Sequence, residues 1–424
     1  MESLPCEIVF AIFDKFDILT KIRFMSTNKY FYENMEIYDL MNISKKYWTK
    51  LNDEILQQKK FKNLKKLCAN NKITQNGISN FNLVELNLYW NNNIKNVTFM
   101  NKLKILYCDN CEIDQDGIEG LDLVELDVNN NEKIKNISFM KNLKKLYAAG
   151  KCGIDQNGIS GLNLVELHIN NNKKIWNIDF MHTLKILDIG EKCGINQTGI
   201  DGLDLIELNI FDNNKINNVS FMKNLKKIMM QNEIDQNGIK GLDLIELSYS
   251  FNEKINDITF MKNLKILDAS FNKIIDQETI QELDLVELNV YGNKKIKNVS
   301  FMKNLKKLNA GGQCGINQKG IEGLNLIELN VEGNEKIKNV TFMKNLKILN
   351  ACGHNCKINQ NAIQNLDLVS LNACNNEKIK NVTFMKNLKI LNASNSCGID
   401  QDGIKGLDLI KLNVSYNKKI INVC

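Results

Sequence analysis

The sequence predicts an α/β solenoid, with parallel strands on a concave face and short helical or irregular turns on a convex face, preceded by a small all-α region. Two repeats carry that prediction. The pair Phe-Met recurs at Phe99, Phe139, Phe180, Phe221, Phe260, Phe301, Phe342 and Phe384, at intervals of 40, 41, 41, 39, 41, 41 and 42 residues. A fixed period of that length is the mark of a stacked-repeat architecture. Each interval splits into two halves bearing Leu-x-x-Leu and then a small or apolar residue, as at Leu305 to Ala310 and Leu326 to Val331. The structural step is therefore about 20 residues, and eighteen such steps run from Leu64 to Leu409.

Composition agrees with one folded body. Of 424 residues, 43% are hydrophobic and 25% charged, which excludes a disordered or fibrous chain. Pro5 is the only proline, so no Pro-rich or Gly/Ser-rich linker separates independent domains. Lys+Arg exceed Asp+Glu by 55 − 49 = 6, but Arg23 is the only arginine. Guanidinium forks are what bidentate phosphate and base contacts use, so the lysines read as solvated surface and nucleic acid is not the expected partner.

No apolar stretch reaches the length of a membrane span, and the run from Ile8 to Phe13 is too short and follows Glu2 and Glu7. The sequence reads as cytoplasmic, neither secreted nor membrane-bound. The six Asn-x-Ser/Thr sequons at Asn96, Asn136, Asn218, Asn298, Asn339 and Asn381 are repeat positions in that setting, not glycan acceptors.

Within the steps, the leucines and the following small residue point inward from a short strand, and neighbouring strands stack in parallel. Asn91, Asn131, Asn172, Asn213, Asn252, Asn293, Asn334, Asn376 and Asn417 stand at one place in every even step. An amide there satisfies backbone groups left free where the chain leaves the strand. This pattern over residues 64–424 resembles the leucine-rich-repeat family, whose Leu-x-x-Leu-x-Leu-x-x-Asn/Cys-x-Leu it follows. In odd steps a cysteine often takes the asparagine's place (Cys111, Cys152, Cys193, Cys314, Cys356, Cys397), a small buried thiol in the same role. The segments resembling Ile154-Asp-Gln-Asn-Gly-Ile159 predict one or two helical turns with Asp or Asn as N-cap, and Phe-Met predicts core filler beneath them.

Cys108-x-x-Cys111, and Cys352 with Cys356 around His354, lack a fourth ligand, so neither a metal nor another cofactor is expected. Three histidines, with no nucleophile elbow and no phosphate loop, give no catalytic residues; the chain is not expected to be an enzyme.

Alternation sends the residues flanking the second leucine of each step to the concave face. Even steps place Glu85, Glu125, Glu166, Glu207, Glu246, Glu287 and Glu328 there, and odd steps alternate lysine with isoleucine, which predicts Glu–Lys pairing between neighbouring strands. After the leucine stand Tyr107, Tyr147, His168 and Met229, with Tyr89, Trp90 and Tyr249 just past the strands. Aromatic anchors of this kind favour protein interfaces, so a partner protein is expected over residues 85–270.

Residues 1–50 carry apolar residues at helical spacing and no leucine ladder; 51–63 connect them to the solenoid. Leu4-Pro5-x-Glu7-Ile8, Ile12, Phe16, Leu19 and Met25-Ser26-x-x-Lys29-x-Phe31 resemble the F-box. The combination with leucine-rich repeats and heavy Asn, Lys and Ile usage is similar to F-box and repeat proteins of amoeba-infecting giant viruses and of amoebae. The resemblance implies the substrate-recognition subunit of an SCF-type ubiquitin ligase. Leu4, Pro5, Ile8, Ile12, Phe16 and Leu19 would then dock a Skp-type adaptor joined to a cullin, and the repeats would hold the target; in a virus the setting would be host cytoplasm. The alternative is a leucine-rich-repeat scaffold or host-factor binder without a ubiquitin link, its N-terminal region only covering the end of the solenoid.

Overall fold

A computed structural model describes residues 18–27, 35–231 and 233–421. Leu4, Pro5, Ile8, Ile12 and Phe16 lie outside the described residues. Leu19 is on the helix Ile18–Ser26, but its side chain also lies outside them. Contacts cluster into two compact units, Met1–Leu205 and Ile206–Cys424. The sequence reading anticipated one body, but a stacked repeat contacts only its neighbours, so no long-range core ties distant turns together.

Unit 1 contains β1 (Asp39–Leu40), β2 (Lys66–Cys68), β3 (Glu85–Asn87), β4 (Ile105–Tyr107), β5 (Glu125–Asp127), β6 (Lys145–Tyr147), β7 (Glu166–His168) and β8 (Ile186–Asp188). Each pairs in parallel with the next. Unit 2 continues with β9 (Glu207–Asn209), β10 (Lys227–Met229), β11 (Glu246–Ser248), β12 (Ile266–Asp268), β13 (Glu287–Asn289), β14 (Lys307–Asn309), β15 (Glu328–Asn330), β16 (Ile348–Asn350), β17 (Ser370–Asn372), β18 (Ile390–Asn392) and β19 (Lys411–Asn413), again parallel throughout. Strands β2 to β19 match the eighteen steps one for one.

The step Leu164 to Ile169 shows why three residues suffice for a strand. Leu164, Leu167 and Ile169 are fully buried, while Glu166 and His168 alternate outward. Register is fixed because a one-residue slip would expose every leucine. The segments after the odd strands form single turns such as Asn157–Ile159 and Gln277–Ile280, with the Asp155 carboxylate accepting from the N–H groups of Asn157 and Gly158 at 3.0 Å.

The asparagine ladder is built as a two-sided clamp. Asn293 donates to the carbonyls of Asn272 (2.9 Å) and Ile275 (3.2 Å) and accepts from the N–H groups of Lys295 (2.9 Å) and Ile296 (3.0 Å). Asn91, Asn252 and Asn334 repeat all four contacts on their own turns; Asn131 donates to Cys111 Sγ (3.7 Å) in place of one carbonyl, and Asn376 and Asn417 donate to two carbonyls and accept from Lys378 and Lys419. The six odd-step cysteines are buried. They fill the asparagine's volume without its donor: the carbonyl that an odd-step asparagine serves, as Asn272 serves Asn252, is met instead by the next residue's backbone N–H, Gly153 to Asn131 at 2.8 Å and Gly315 to Asn293 at 2.7 Å.

Phe-Met divides its roles differently from the sequence expectation. Met100, Met140 and Met261 are fully buried, whereas Phe99 and Phe260 are exposed. Val97 and Met100 anchor opposite ends of a tight turn, which leaves the intervening phenylalanine on its outer side.

A strand at β1 interrupts the region expected to be all helical. Leu40 and Ile37 are buried, the Lys65 N–H donates to the Tyr38 carbonyl at 2.8 Å, and Trp48 Nε1 donates to the Cys68 carbonyl at 3.0 Å. Residues 35–61, including the short helices Lys45–Trp48 and Asp53–Leu56, thus cover the first leucine-rich turn. Among the described residues no helix is long and apolar enough to cross a membrane.

Candidate partner-binding surface

Positions flanking each central leucine are half-exposed on the strand face of both units, so their chemistry is set directly by the sequence. Glutamate and lysine pair between neighbouring strands: in unit 1, Lys66 with Glu85 at 2.8 Å and Lys145 with Glu166 at 2.9 Å; in unit 2, Lys227 with Glu246 at 3.1 Å and Lys307 with Glu287 at 2.7 Å. Pairs this exposed add little stability; they hold the side chains in fixed places.

Unit 1 carries a denser cluster. The Tyr107 hydroxyl donates to Glu125 Oε1 at 2.9 Å, and the Tyr147 hydroxyl to Glu166 Oε1 at 2.9 Å. His168 Nε2 lies 2.9 Å from that same oxygen, and its Nδ1 lies 3.6 Å from Asp188 Oδ2. Asn170 Nδ2 donates to Asp188 Oδ2 at 2.9 Å.

Electrostatics follow from the contacts. Burial pushes the Glu166 carboxyl up, but hydrogen bonds from Lys145, His168 and Tyr147 outweigh it and bring the pKa down to about 2. Burial also disfavours the charged form of His168, yet Asp188 and Glu166 prevail and raise its pKa. Asp127, which lacks a cationic partner of that kind, is pushed up to about 6 by burial. Burial and the adjoining carboxylates raise both tyrosines.

The expected surface residues do not all meet. Glu85, Tyr107, Glu125, Tyr147, Glu166 and His168 share the strand face of unit 1. Tyr89 and Trp90 are exposed on the turn after β3, edge to face at 6.0 Å. Glu207 and Met229 belong to unit 2, where Met229 lines a shallow strand-face cleft of about 320 Å³ with Glu246, Asp268, Glu287, Lys307 and Glu328. Tyr249 is a correction: it is completely buried, because it stands two residues past the central Leu247, the inward position that holds Val290 and Val331 elsewhere.

A second ladder was not anticipated. Gln115 Nε2 donates to the Asn136 carbonyl at 2.8 Å, and its Oε1 accepts from the N–H groups of Lys135 (3.0 Å) and Asn136 (2.9 Å). Gln75, Gln156, Gln277, Gln318 and Gln360 do the same on their turns. The sequon asparagines belong to this device: Asn96 Oδ1 accepts from Thr98 N–H (2.9 Å) and Oγ1 (2.8 Å).

Among the described residues no group of three or more His, Cys, Asp or Glu side chains is placed to hold a metal ion. The cluster offers carboxylate acceptors and two ring-bearing phenols at fixed positions, which is recognition chemistry.

No family model matches the sequence, and no curated protein matches it. Among solved structures, the chain is similar to TLR13 in its complex with ssRNA13, at 19% identity, 84% of this chain, 68% of that chain and a TM-score of 0.50. Further matches are the mouse RP105/MD-1 complex (16% identity, 85% and 73% coverage, TM-score 0.43) and the functional domain of InlJ from Listeria monocytogenes (20% identity, 79% and 64% coverage, TM-score 0.32). The TLR13 likeness, with the counted strands and asparagine clamps, establishes a leucine-rich-repeat solenoid fold.

Proposed function

We propose that the chain is a non-enzymatic protein-binding solenoid that captures its partner on the strand face of unit 1. The observation that carries this is the cluster of Tyr107, Glu125, Tyr147, Glu166 and His168. Its rings and carboxylates are already ordered by contacts with one another, so a partner does not have to immobilise them. Tyrosines seated among fixed acceptors are the kind of residue on which binding energy concentrates.

The finer form of this proposal is a substrate receptor of an SCF-type ubiquitin ligase in the cytoplasm. Its support is the F-box-like Leu4, Pro5, Ile8, Ile12, Phe16 and Leu19, which would dock the Skp-type adaptor and cullin while the repeats hold a target near the ubiquitin-loaded enzyme. The alternative remains a scaffold or host-factor binder. It is favoured by residues 35–61, which already cover the first leucine-rich turn and leave no structural need for an adaptor.

Affinity capture with the full-length chain tests both levels. Tyr107→Ala/Tyr147→Ala is expected to lose the partner while keeping the fold; unchanged capture would refute the strand-face site. Leu4→Ala/Pro5→Ala/Ile8→Ala is expected to lose the adaptor and cullin alone. Capture of a partner by the wild-type chain without the adaptor and cullin would leave the scaffold.

A further inference from the structure

Two cysteines of unit 2 differ from the buried thiols of the odd turns. Cys352 and Cys374 stand at the same place in successive turns, each two residues past the end of its strand: Asn350 ends β16, Asn372 ends β17, and these two asparagines are register partners. The Ala351 N–H donates to the Asn372 carbonyl and the Gly353 N–H to the Cys374 carbonyl, both at 2.8 Å, so the turns stay side by side past the strands. Equivalent Cα atoms on neighbouring strands lie about 4.8 Å apart, within the roughly 4.4–6.8 Å that a disulfide spans. The two thiols are unbridged and hydrogen-bond one another.

Both are partly exposed, whereas Cys314, Cys356 and Cys397 of the same unit are at most 1% exposed. Gly333 and Gly353 are part of the reason. Their N–H groups bond the carbonyls of Cys352 and Cys374 at 2.9 and 2.8 Å, and without side chains they leave the sulfurs open to a small oxidant. Gly353 is held at φ 104°, a conformation that residues with a side chain rarely adopt, so the opening is a property of the backbone.

The two sulfurs have different surroundings. Burial, then the neighbouring Cys374 and Glu332, push the Cys352 thiol up to about 12. Glu332 holds the equivalent place on the preceding turn and is itself fixed by the Asn350 amide, which donates to its Oε2 at 3.2 Å. Cys352 is therefore the protonated member of the pair and the poorer nucleophile. Cys374 has amides on its far side in place of a carboxylate. Its Sγ accepts from Asn395 Nδ2 at 3.2 Å and from Asn375 Nδ2 at 3.5 Å. Asn375 and Asn395 occupy the left-handed place that Gly353 takes one turn earlier, at φ 55° and 57°.

We propose that Cys352 and Cys374 form a redox-active dithiol, which a hydroperoxide closes to a disulfide between the turns after β16 and β17 and a thiol reductant reopens. The Cys374 thiolate attacks the terminal peroxide oxygen; an S–O bond forms, the O–O bond breaks, and the departing alkoxide or hydroxide takes up the proton that Cys374 gave to water. Cys352 then attacks the sulfur of the Cys374 sulfenic acid; the S–S bond forms, the S–O bond breaks, and the hydroxyl leaves with the Cys352 proton as water. Two electrons pass from the sulfurs to the peroxide, and two reductant thiols return them on becoming a disulfide. The bridge ties together turns otherwise joined by backbone hydrogen bonds, so the oxidised chain opens less readily between β16 and β17. The site depends on neither the strand-face cluster of unit 1 nor the F-box-like residues.

The test treats the reduced full-length chain with hydrogen peroxide, blocks remaining thiols with an alkylating agent, and maps the unreduced peptides by mass spectrometry. A peptide pair joined through Cys352 and Cys374 is expected, formed before Cys314, Cys356 or Cys397 is modified and released by dithiothreitol. Hydrogen exchange of the Ala351 and Gly353 amides should slow when the bridge is closed. Cys352→Ser should stop at a Cys374 sulfenic acid that dimedone traps, whereas Cys374→Ser should leave a Cys352 that reacts roughly tenfold more slowly or less. The wild-type map decides even if a variant fails to fold. Peroxide that leaves both thiols free, drives Cys374 to sulfinic acid without a bridge, or joins either cysteine to Cys68 or to a second chain instead would overturn the proposal. Equal reactivity of the two single variants would overturn the roles given to the two sulfurs.

Discussion

Tyr147 lies flat on His168, with ring centroids 4.6 Å apart and planes 12° apart, and both side chains bond the same oxygen of Glu166 at 2.9 Å. The two residues are register partners on β6 and β7. The spacing of about 4.8 Å between neighbouring strands therefore sets the stack, and the shared carboxylate fixes how both rings turn.

This arrangement predicts a pH dependence. Asp188 and Glu166 overcome the opposing effect of burial and raise the His168 pKa, so its contribution to stability is complete below the unfolded value of about 6.5 and lost as pH rises through the folded value. Asp127 acts in the same direction lower down, since a carboxyl raised to about 6 favours the folded state below the ordinary carboxylate range and loses that contribution as pH rises through about 6. The three tryptophans, Trp48, Trp90 and Trp176, all lie in unit 1, so their fluorescence reports its melting. The melting midpoint is expected to fall from pH 5 to pH 8, and His168→Gln to flatten the part above about pH 6.5. A wild-type profile already flat there would contradict the network.

Asn293→Ala removes both donor and acceptor from a buried clamp and strands four backbone groups. The expected cost is about 2–4 kcal/mol. Gln277→Ala breaks a similar set of bonds in an exposed turn, where water replaces them, and should cost under about 1 kcal/mol. Urea unfolding midpoints decide: equal shifts for the two would mean that burial is not what gives the asparagine its weight.

These two ladders also show what the sequence revealed. The asparagine clamp was legible because its place relative to each Leu-x-x-Leu is constant and its function is local. The glutamine recurs as regularly, in Ile-Asp-Gln-x-Gly-Ile, but its partners stand 20 and 21 residues on, and a repeat alone does not say which turn a side chain reaches. Tyr249 stands just past its strand among the expected aromatic anchors, but period-two alternation continued from Leu247 puts it inside. Alternation likewise gave Tyr107, Tyr147 and His168 their face; the convergence of two rings on one Glu166 oxygen depends on rotamers that alternation does not set. Phe-Met recurrence predicts core for both residues, yet a tight turn brings only the methionine fully inward.

Cysteine reactivity provides a third check. Burial pushes the Cys152 and Cys314 thiols up to about 11, and thiolate is the reactive form. Alkylation of the native chain at pH 8, read by mass spectrometry, is expected to modify the partly exposed Cys374 first among the described cysteines, ahead of Cys68, whose thiol burial pushes up. Cys152, Cys193, Cys314, Cys356 and Cys397 should remain unmodified until urea is added. Early modification of Cys152 or Cys314 would show that the odd turns open.

The most direct measurement places a photo-crosslinking amino acid at Tyr147, on the strand face of unit 1, and in a second chain at Phe139, on the outer side of a turn. Each is irradiated in a lysate of the cells from which the sequence derives. A protein joined through position 147 and not through position 139, and displaced by excess unlabelled wild-type chain, is the predicted result. Equal crosslinking at both positions, or crosslinking at 139 alone, would contradict capture on the strand face.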